Sequence, residues 1–243
     1  MLFKEYYSRV CMILEQVIAH QNGAINDAGK AVAECISRDG IIYVFGCGHS
    51  HIAGEDLFFR AGGLAPVCAV LDADLMLHEG AEKSSCMERI SGIAKPIFDK
   101  YGITSNDILI IVSTSGINAV PVEMAQHAHQ EGVLVIAITS SAYYNDEPHN
   151  KTGKHLYEYA DIVIDNCVSH GDAEVEIGKD LPKAGSVSTI SSCMIAQSIM
   201  ICADEILLQN GINPPIYMSG NVKDGRERNR ALIDKYRPRI KNL

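Results

Sequence analysis

The segment that most constrains this chain runs from Asp107 to Asn118. Five consecutive aliphatic residues, Ile108-Leu109-Ile110-Ile111-Val112, end in Ser113-Thr114-Ser115-Gly116-Ile117-Asn118, and a helix-like stretch follows. Five aliphatic residues in a row leave no polar face, so the segment reads as a strand buried on both sides, as in a parallel sheet covered by helices. The turn after such a strand lies where a parallel sheet opens its ligand crevice. It offers three hydroxyls and a set of backbone N–H groups at a helix N-terminus, an arrangement that holds an anion without any fixed positive charge. Ile41-Ile42-Tyr43-Val44-Phe45 repeats the plan and runs into Gly46-Cys47-Gly48-His49-Ser50. Two such units imply one ligand gripped from two sides.

Alternation continues along the chain. Strands are expected near 41–46, 67–71, 108–113, 133–139 and 161–165, with helices near 51–61, 86–101 and 118–131. That order predicts a three-layer α/β/α sandwich around a five-stranded parallel sheet. At the N-terminus, Val10, Ile13, Leu14, Val17 and Ile18 keep helical spacing, as do Ile25, Ala28, Val32 and Ile36. Asn22-Gly23 between them reads as a break, which predicts two helices. Two more helices are expected at about 187–209 and 222–237. The stretch 140–157 has no periodicity and reads as a long loop of the kind that commonly carries function. No internal repeat or linker divides the 243 residues. A single domain is therefore expected, its core at about 35–210, with an N-terminal helical pair and a basic C-terminal helix.

Composition narrows the class. A hydrophobic content of 47% supports a sizeable core. The absence of Trp and an aromatic content of 6% argue against stacking platforms for single-stranded nucleic acid. The net charge of -9 disfavours a nucleic-acid partner. It is unevenly spread: between Lys223 and Lys241 eight basic residues face three acidic ones, giving about +5 there and about -14 elsewhere. The tail reads as a solvated helix docking on an acidic body or a partner subunit, or as an anion-binding arm. Eight cysteines without a C-x-x-C pair read as reduced, mostly core residues. No continuous apolar run approaches the ~20 residues of a membrane span, and a cytoplasmic protein without a membrane partner is expected.

Gly46-Cys47-Gly48-His49-Ser50, the loop Ser113 to Asn118 and the helix start Ser186-Val187-Ser188-Thr189 resemble, in this order, the sugar isomerase (SIS) domain. The resemblance covers roughly residues 35–210, and the chain is most similar to SIS-domain proteins with an N-terminal helical pair and a basic tail. It implies a phosphosugar ligand, with Ser50, Ser113, Ser115, Asn118 and Ser188 contacting the phosphate and the amides of Thr114 and Gly116 assisting. It also implies a homo-oligomer, dimer or tetramer, and neither a redox cofactor nor a metal.

Aldose–ketose isomerisation needs a base that moves a proton between neighbouring carbons through an enediolate, and a group that opens the sugar ring. Candidates are His78 and Glu79 in Leu77-His78-Glu79-Gly80, Glu55, His170 with Asp172, and Glu174 or Glu176. The step His78-Glu79-Gly80 resembles the His-Gly-Asp step of arabinose-phosphate-type isomerases. Glu79-Gly80-Ala81-Glu82 resembles the muramic-acid-phosphate etherases. Glu174 and Glu176 stand near the place of an essential glutamate in those isomerases, so Glu79 or Glu176 is the expected base and His78 or His170 the ring-opening group. The chain departs from the pattern with His49 where a lysine often precedes the serine, and Glu79 where glycine is expected. A lyase and a non-catalytic phosphosugar sensor are the alternatives.

Two rival readings use the first loop. A dinucleotide site would draw on Gly46, Gly48 and Asp72, but His51 stands where the fingerprint requires its third glycine. A metal site would draw on Cys47, His49 and His51, which alternate along the chain and lack an obvious fourth ligand.

Overall fold

The aliphatic runs become one parallel sheet in the computed structural model, which describes residues 1–243. Its strands are β1 (Ile42–Gly46), β2 (Val67–Val70), β3 (Ile108–Val112), β4 (Leu134–Thr139) and β5 (Ile162–Asp165), in the order β2-β1-β3-β4-β5. Ile42 pairs with Val67 on one side and Ile108 on the other, so β1 and β3 are neighbours at the point where the strand order reverses. Connections leave that point in opposite directions, which opens a crevice at the carboxyl ends of the two strands.

β1, β2 and β3 are buried on both faces, and alternate residues of the sheet feed two cores. Ile42, Val44, Ile108 and Ile110 pack with α1 (Leu2–Ser37), α2 (Ile52–Leu57) and α6 (Ser188–Gln209). Tyr43, Phe45, Leu109 and Ile111 pack with α4 (Ala94–Tyr101), α5 (Ala119–Gln130) and Tyr236 of α7 (Gly225–Tyr236). A short α3 (Ala81–Met87) follows β2, and an antiparallel hairpin of β6 (Ala173–Val175) and β7 (Ala184–Ser186) precedes α6. The three-layer sandwich is the expected architecture.

Some elements differ from the sequence reading. The N-terminal pair is one helix of 36 residues. Gly23 costs an exposed helix only about 1 kcal/mol, and the buried stripe of Val17, Ile25, Ala28 and Val32 runs past it without a change of phase. Asn26 Nδ2 also donates to Asn22 Oδ1 at 2.7 Å, one turn apart. The helix expected over 86–101 is two, because Gly92 adopts φ 94° and its amide donates to the Glu123 carboxylate at 2.7 Å. By length and composition alone α6, at 22 residues, is apolar enough to cross a membrane, which the sequence reading did not register. In the fold Ile195, Ile199, Ala203 and Leu207 are instead buried among α1, α2 and the sheet.

The tail docks on the body through charge. Asp107, fully buried immediately before β3, accepts from the Ile41 amide at 2.9 Å and from the Thr104 amide and hydroxyl at 2.9 and 2.8 Å. Arg239 Nη2 donates to both of its oxygens at 2.9 and 2.8 Å. Lys235 pairs with Asp39 at 2.8 Å, and Asn242 Nδ2 reaches the Ala69 carbonyl at 2.9 Å. Replacing Asp107 with alanine orphans the buried Ile41 amide and releases the Thr104 amide, its hydroxyl and a guanidinium. Asp107→Ala should therefore lower the unfolding free energy by about 3 kcal/mol or more. The check is a urea titration, read as a fall in midpoint at constant slope; Arg239→Ala should cost less because Asp107 keeps its other three donors.

Candidate functional site

The loops after β1 and β3 fold as their glycines allow. A Cβ on Gly46 would stand 2.6 Å from the Ser50 backbone, so only glycine lets the Gly48–His51 turn close over the end of β1. Gly116 sits at φ 62°, and a Cβ there would meet Thr139 Oγ1 at 2.8 Å. Its amide donates to Ser113 Oγ at 3.2 Å, which engages the Ser113 hydroxyl inside the turn.

The loop over 140–157 secures this turn from outside. His149 N and Asn150 Nδ2 both donate to the Ile117 carbonyl at 2.9 Å, and Leu156 N donates to the Gly116 carbonyl at 2.8 Å. From below, the buried Asn166 after β5 donates through Nδ2 to Thr114 Oγ1 at 3.3 Å and to Ser192 Oγ at 3.4 Å. The sequence reading passed over Asn166. A polar residue directly after an apolar strand was the available signal.

Between the two loops and the start of α6 lies a narrow crevice of about 10 Å³, roughly one water-sized sphere, lined in part by His49, Ser50, Thr114, Ser188, Thr189 and Ser192. Ser50, Thr114 and Ser188 thus meet at one crevice, and Ser115 is half-buried on the same loop. Ser188 differs in chemistry from the expectation. Its hydroxyl donates to Asp172 Oδ2 at 2.6 Å, while Asp172 Oδ1 accepts from the amides of Val187 at 3.0 Å and Ser188 at 2.8 Å. An anion already sits on the α6 N-terminus, and it is Asp172. The helix dipole there is answered from within the chain.

Asn118 also has a different role. Its Nδ2 donates to Glu88 Oε1 at 2.9 Å, whereas its Oδ1 is buried with no hydrogen-bond partner. What Asn118 leaves open is an acceptor, which suits a hydroxyl or an ammonium group and not a phosphate oxygen. Glu88 was not singled out from the sequence, since a lone Glu-Arg step at a helix end carries no signal. Its side chain is 19% exposed, with Arg89 Nη1 at 3.2 Å. Burial raises its pKa above the ordinary carboxylate range against the opposing pull of Arg89. A half-buried carboxyl with a raised pKa beside a ligand loop is a candidate for proton transfer.

The other candidates are dispersed. His78 and Glu79 stand on the turn Leu77–Glu79 that follows β2. His170 stacks on Tyr143 with ring centroids 4.4 Å apart and pairs with Asp146 at 3.0 Å. Glu174 accepts from Ser169 Oγ at 2.5 Å, and Glu176 is exposed at the hairpin; neither lines the crevice. Glu55 lies on the outer face of α2, 3.6 Å from the His51 ring. The Cys47, His49 and His51 side chains do not converge. Cys47 packs in the core with its thiol pushed well above its ordinary pKa by burial, His49 is exposed, and His51 Nδ1 bonds the Gly48 carbonyl. That buried His51, in place of a third glycine, also closes the approach a pyrophosphate would need.

Residues 5–140 match the SIS domain family. A UPF0309 protein of Listeria innocua is 41% identical over 240 residues, covering 98% of this chain and 97% of the relative. Among solved structures, a phosphoheptose isomerase from Francisella tularensis superposes with a TM-score of 0.57 at 17% identity, covering 84% of this chain and 96% of that one. A phosphoheptose isomerase from Neisseria gonorrhoeae gives 0.56 at 15% identity, covering 84% and 97%.

Removing the Asn118 amide takes a hydrogen-bond donor from the ionised form of Glu88. Asn118→Ala should raise the Glu88 pKa further, a shift that carboxyl-selective carbon-13 NMR titration reads directly.

Proposed function

The chain belongs to the SIS domain family, and from that premise we propose that it binds the phosphate of a phosphorylated sugar between the β1 and β3 loops and isomerises the sugar between aldose and ketose. The observation that carries this reading is the meeting of Ser50, Thr114 and the Ser115 loop at the carboxyl ends of two adjacent, divergent strands. The fold it shares with the two phosphoheptose isomerases supports the same class of ligand.

The phosphate is held by neutral donors. Hydroxyls of Ser50, Thr114 and Ser115 and the amides of Thr114 and Ser115 surround it, with Ser113 and the Gly116 amide shaping the turn and Ser188 entering only if it releases Asp172. The crevice admits about one water-sized group, so a phosphoryl group is accommodated by outward movement of the exposed His49 and the half-buried Thr189. The orphan oxygen of Asn118 then accepts from a sugar hydroxyl or amino group, which places the reacting carbons toward Glu88.

Glu88 is the proton carrier in this reading, ahead of Glu79 and Glu176. It removes a proton from the carbon beside the carbonyl and the bonding pair forms the enediolate; the proton is then delivered to the former carbonyl carbon, while the hydroxyl proton of the neighbouring carbon passes to the former carbonyl oxygen and leaves the new carbonyl. Atoms and electrons balance within the sugar itself. His78 stands on the neighbouring turn for ring opening. His170 and Glu176 act on a cradle only as contributions from a second copy of the chain. A homo-oligomer is supported by the exposed apolar residues Phe3, Tyr7 and Ile18 of α1 and Ile201 and Leu208 of α6.

A panel of pentose, hexose, amino-sugar and muramic acid phosphates, each beside its unphosphorylated form, tests binding by thermal shift. A ligand at ~100 times its dissociation constant should stabilise the fold by about 2.7 kcal/mol, and Ser115→Ala should abolish the effect. Glu88→Gln should retain binding but slow exchange of solvent deuterium into the sugar by about 10²–10⁴-fold. Release of lactate without exchange would assign ether elimination instead. Binding with neither reaction would leave a sensor, and the absence of any phosphosugar shift would defeat the cradle.

A further inference from the structure

A second and larger cavity lies beside the amino end of β2. Leu64, just before β2, pairs with Ile216, while Gly62 N donates to the Tyr217 carbonyl at 2.8 Å and Ala65 N to the Pro215 carbonyl at 2.7 Å. These bonds pin the Pro214–Gly220 stretch of chain beside the segment that follows α2, and α7 closes over it. Asn229 fixes the cover by bonding the Met218 amide at 2.9 Å and carbonyl at 2.8 Å. The cleft so formed has a volume of about 580 Å³, within the range of small-molecule sites.

Its lining divides into a cationic and an aromatic wall. Arg60, Arg226, Arg230 and Arg237 all line it. Arg60 is held by Asp56, and the tail's ion pairs are Lys235–Asp39 and Arg239–Asp107. Arg226, Arg230 and Arg237 are left without a carboxylate partner, with Asp234 the one acidic residue of the lining. Three guanidinium groups against one carboxylate leave a surplus of about two charges, and planar guanidinium forks are the donors best matched to phosphate.

The aromatic wall is Phe59 and Tyr217, edge to face with centroids 5.2 Å apart. Phe59 adopts φ 47°, a conformation costly for an aromatic residue, and the residue is 52% exposed. Tyr217 is 3% exposed, and its hydroxyl is buried with no partner in the protein. Burial pushes that phenol up to about 12, so it stays neutral. A strained, half-exposed aromatic beside unpaired guanidinium groups at one cavity is an arrangement that a bound molecule explains.

We propose that this cleft binds a nucleoside phosphate, its phosphate on Arg226, Arg230 and Arg237 and its base against Phe59 and Tyr217. A sugar phosphate would use the arginines but leave the aromatic wall idle. An extended polyanion would be repelled by the chain's net charge of -9, whereas a small ligand meets only the local surplus. The site shares no lining residue with the cradle and stands independently of the reading given for it.

Isothermal titration of the full chain with AMP, GMP, ADP, ribose 5-phosphate and inorganic phosphate tests the assignment. At least one nucleotide should bind at least tenfold tighter than ribose 5-phosphate and inorganic phosphate. The double change Arg226→Gln, Arg230→Gln, both at the surface, should weaken it by about tenfold or more. Phe59→Leu should weaken the nucleotide and leave inorganic phosphate unchanged, and Ser115→Ala should leave nucleotide affinity unaltered. No nucleotide binding, or nucleotide and ribose 5-phosphate binding alike, would overturn the proposal. So would nucleotide affinity that falls in Ser115→Ala and survives the arginine changes, since the nucleotide would then occupy the cradle.

Discussion

The carboxylate of Asp107 joins three parts of the chain that are distant in sequence. It receives the amide that leads into β1, the amide and hydroxyl of the turn ahead of β3, and the guanidinium of the C-terminal tail. A charge buried this fully is tolerable only when its oxygens are well engaged, and here both are. The consequence is positional. β1 and β3 are the two strands whose carboxyl ends carry the ligand loops, and Asp107 locks their amino ends in register with Ile42 opposite Ile108. A one-residue slip between them would separate Ser50 from Thr114 and exchange the two cores, since alternate residues of each strand serve opposite faces.

With the strands fixed, the cradle works by dipoles. Hydroxyls and amides do the holding, and the chain places its own negative charge, Asp172, on the N-terminus of α6. A ligand phosphate therefore meets the turns after β1 and β3, the latter leading into α5, and not the α6 dipole. Glu88 belongs to the same arrangement of charge. Were a lysine or arginine set deep in the cradle, it would drag that carboxyl down into its ordinary range. Neutral donors leave Glu88 protonated to a higher pH than a surface carboxylate, governed by its burial and the single cation beside it.

What the sequence made legible was local. The strand-loop-helix units at 41–50 and 108–118 could be read because an aliphatic run, a glycine that permits a tight turn and a hydroxyl set lie within a dozen residues. The N-terminal helix was read as two because Asn-Gly is a strong local breaker, and nothing local reveals the 22-residue partner that holds the helix straight through it. The hairpin of β6 and β7 was missed because strands of three residues have no period to detect. The roles of Glu88 and Asn166 were hidden for another reason. Each acquires its role from a residue 30 or 52 positions away, Asn118 in one case and Thr114 in the other. Spacing says nothing of such pairs, and only the fold supplies them. The basic tail was an intermediate case: its charge was plain, but its division into docking residues, Lys235 and Arg239, and unpaired ones, Arg226, Arg230 and Arg237, follows from how α7 and the residues after it meet the body.

The two cavities share one element. The helix α2 begins at the turn that bears Ser50 and ends at Phe58, after which Phe59 and Arg60 enter the arginine-lined cleft. A six-residue helix between two sites invites the idea that one moves the other. The packing argues otherwise. Ala53 and Leu57 are buried against the sheet, and Gly54 lies so close that a Cβ there would stand 3.2 Å from the Val44 carbonyl. Gln197 of α6 further ties Asp56 at 2.7 Å from the other side. A helix wedged between a strand and a second helix at such contact distances has one position, because packed interiors yield in discrete steps and this contact offers no second one. The physical expectation is that α2 acts as a fixed strut, holding cradle and cleft at a constant separation while each binds its own ligand.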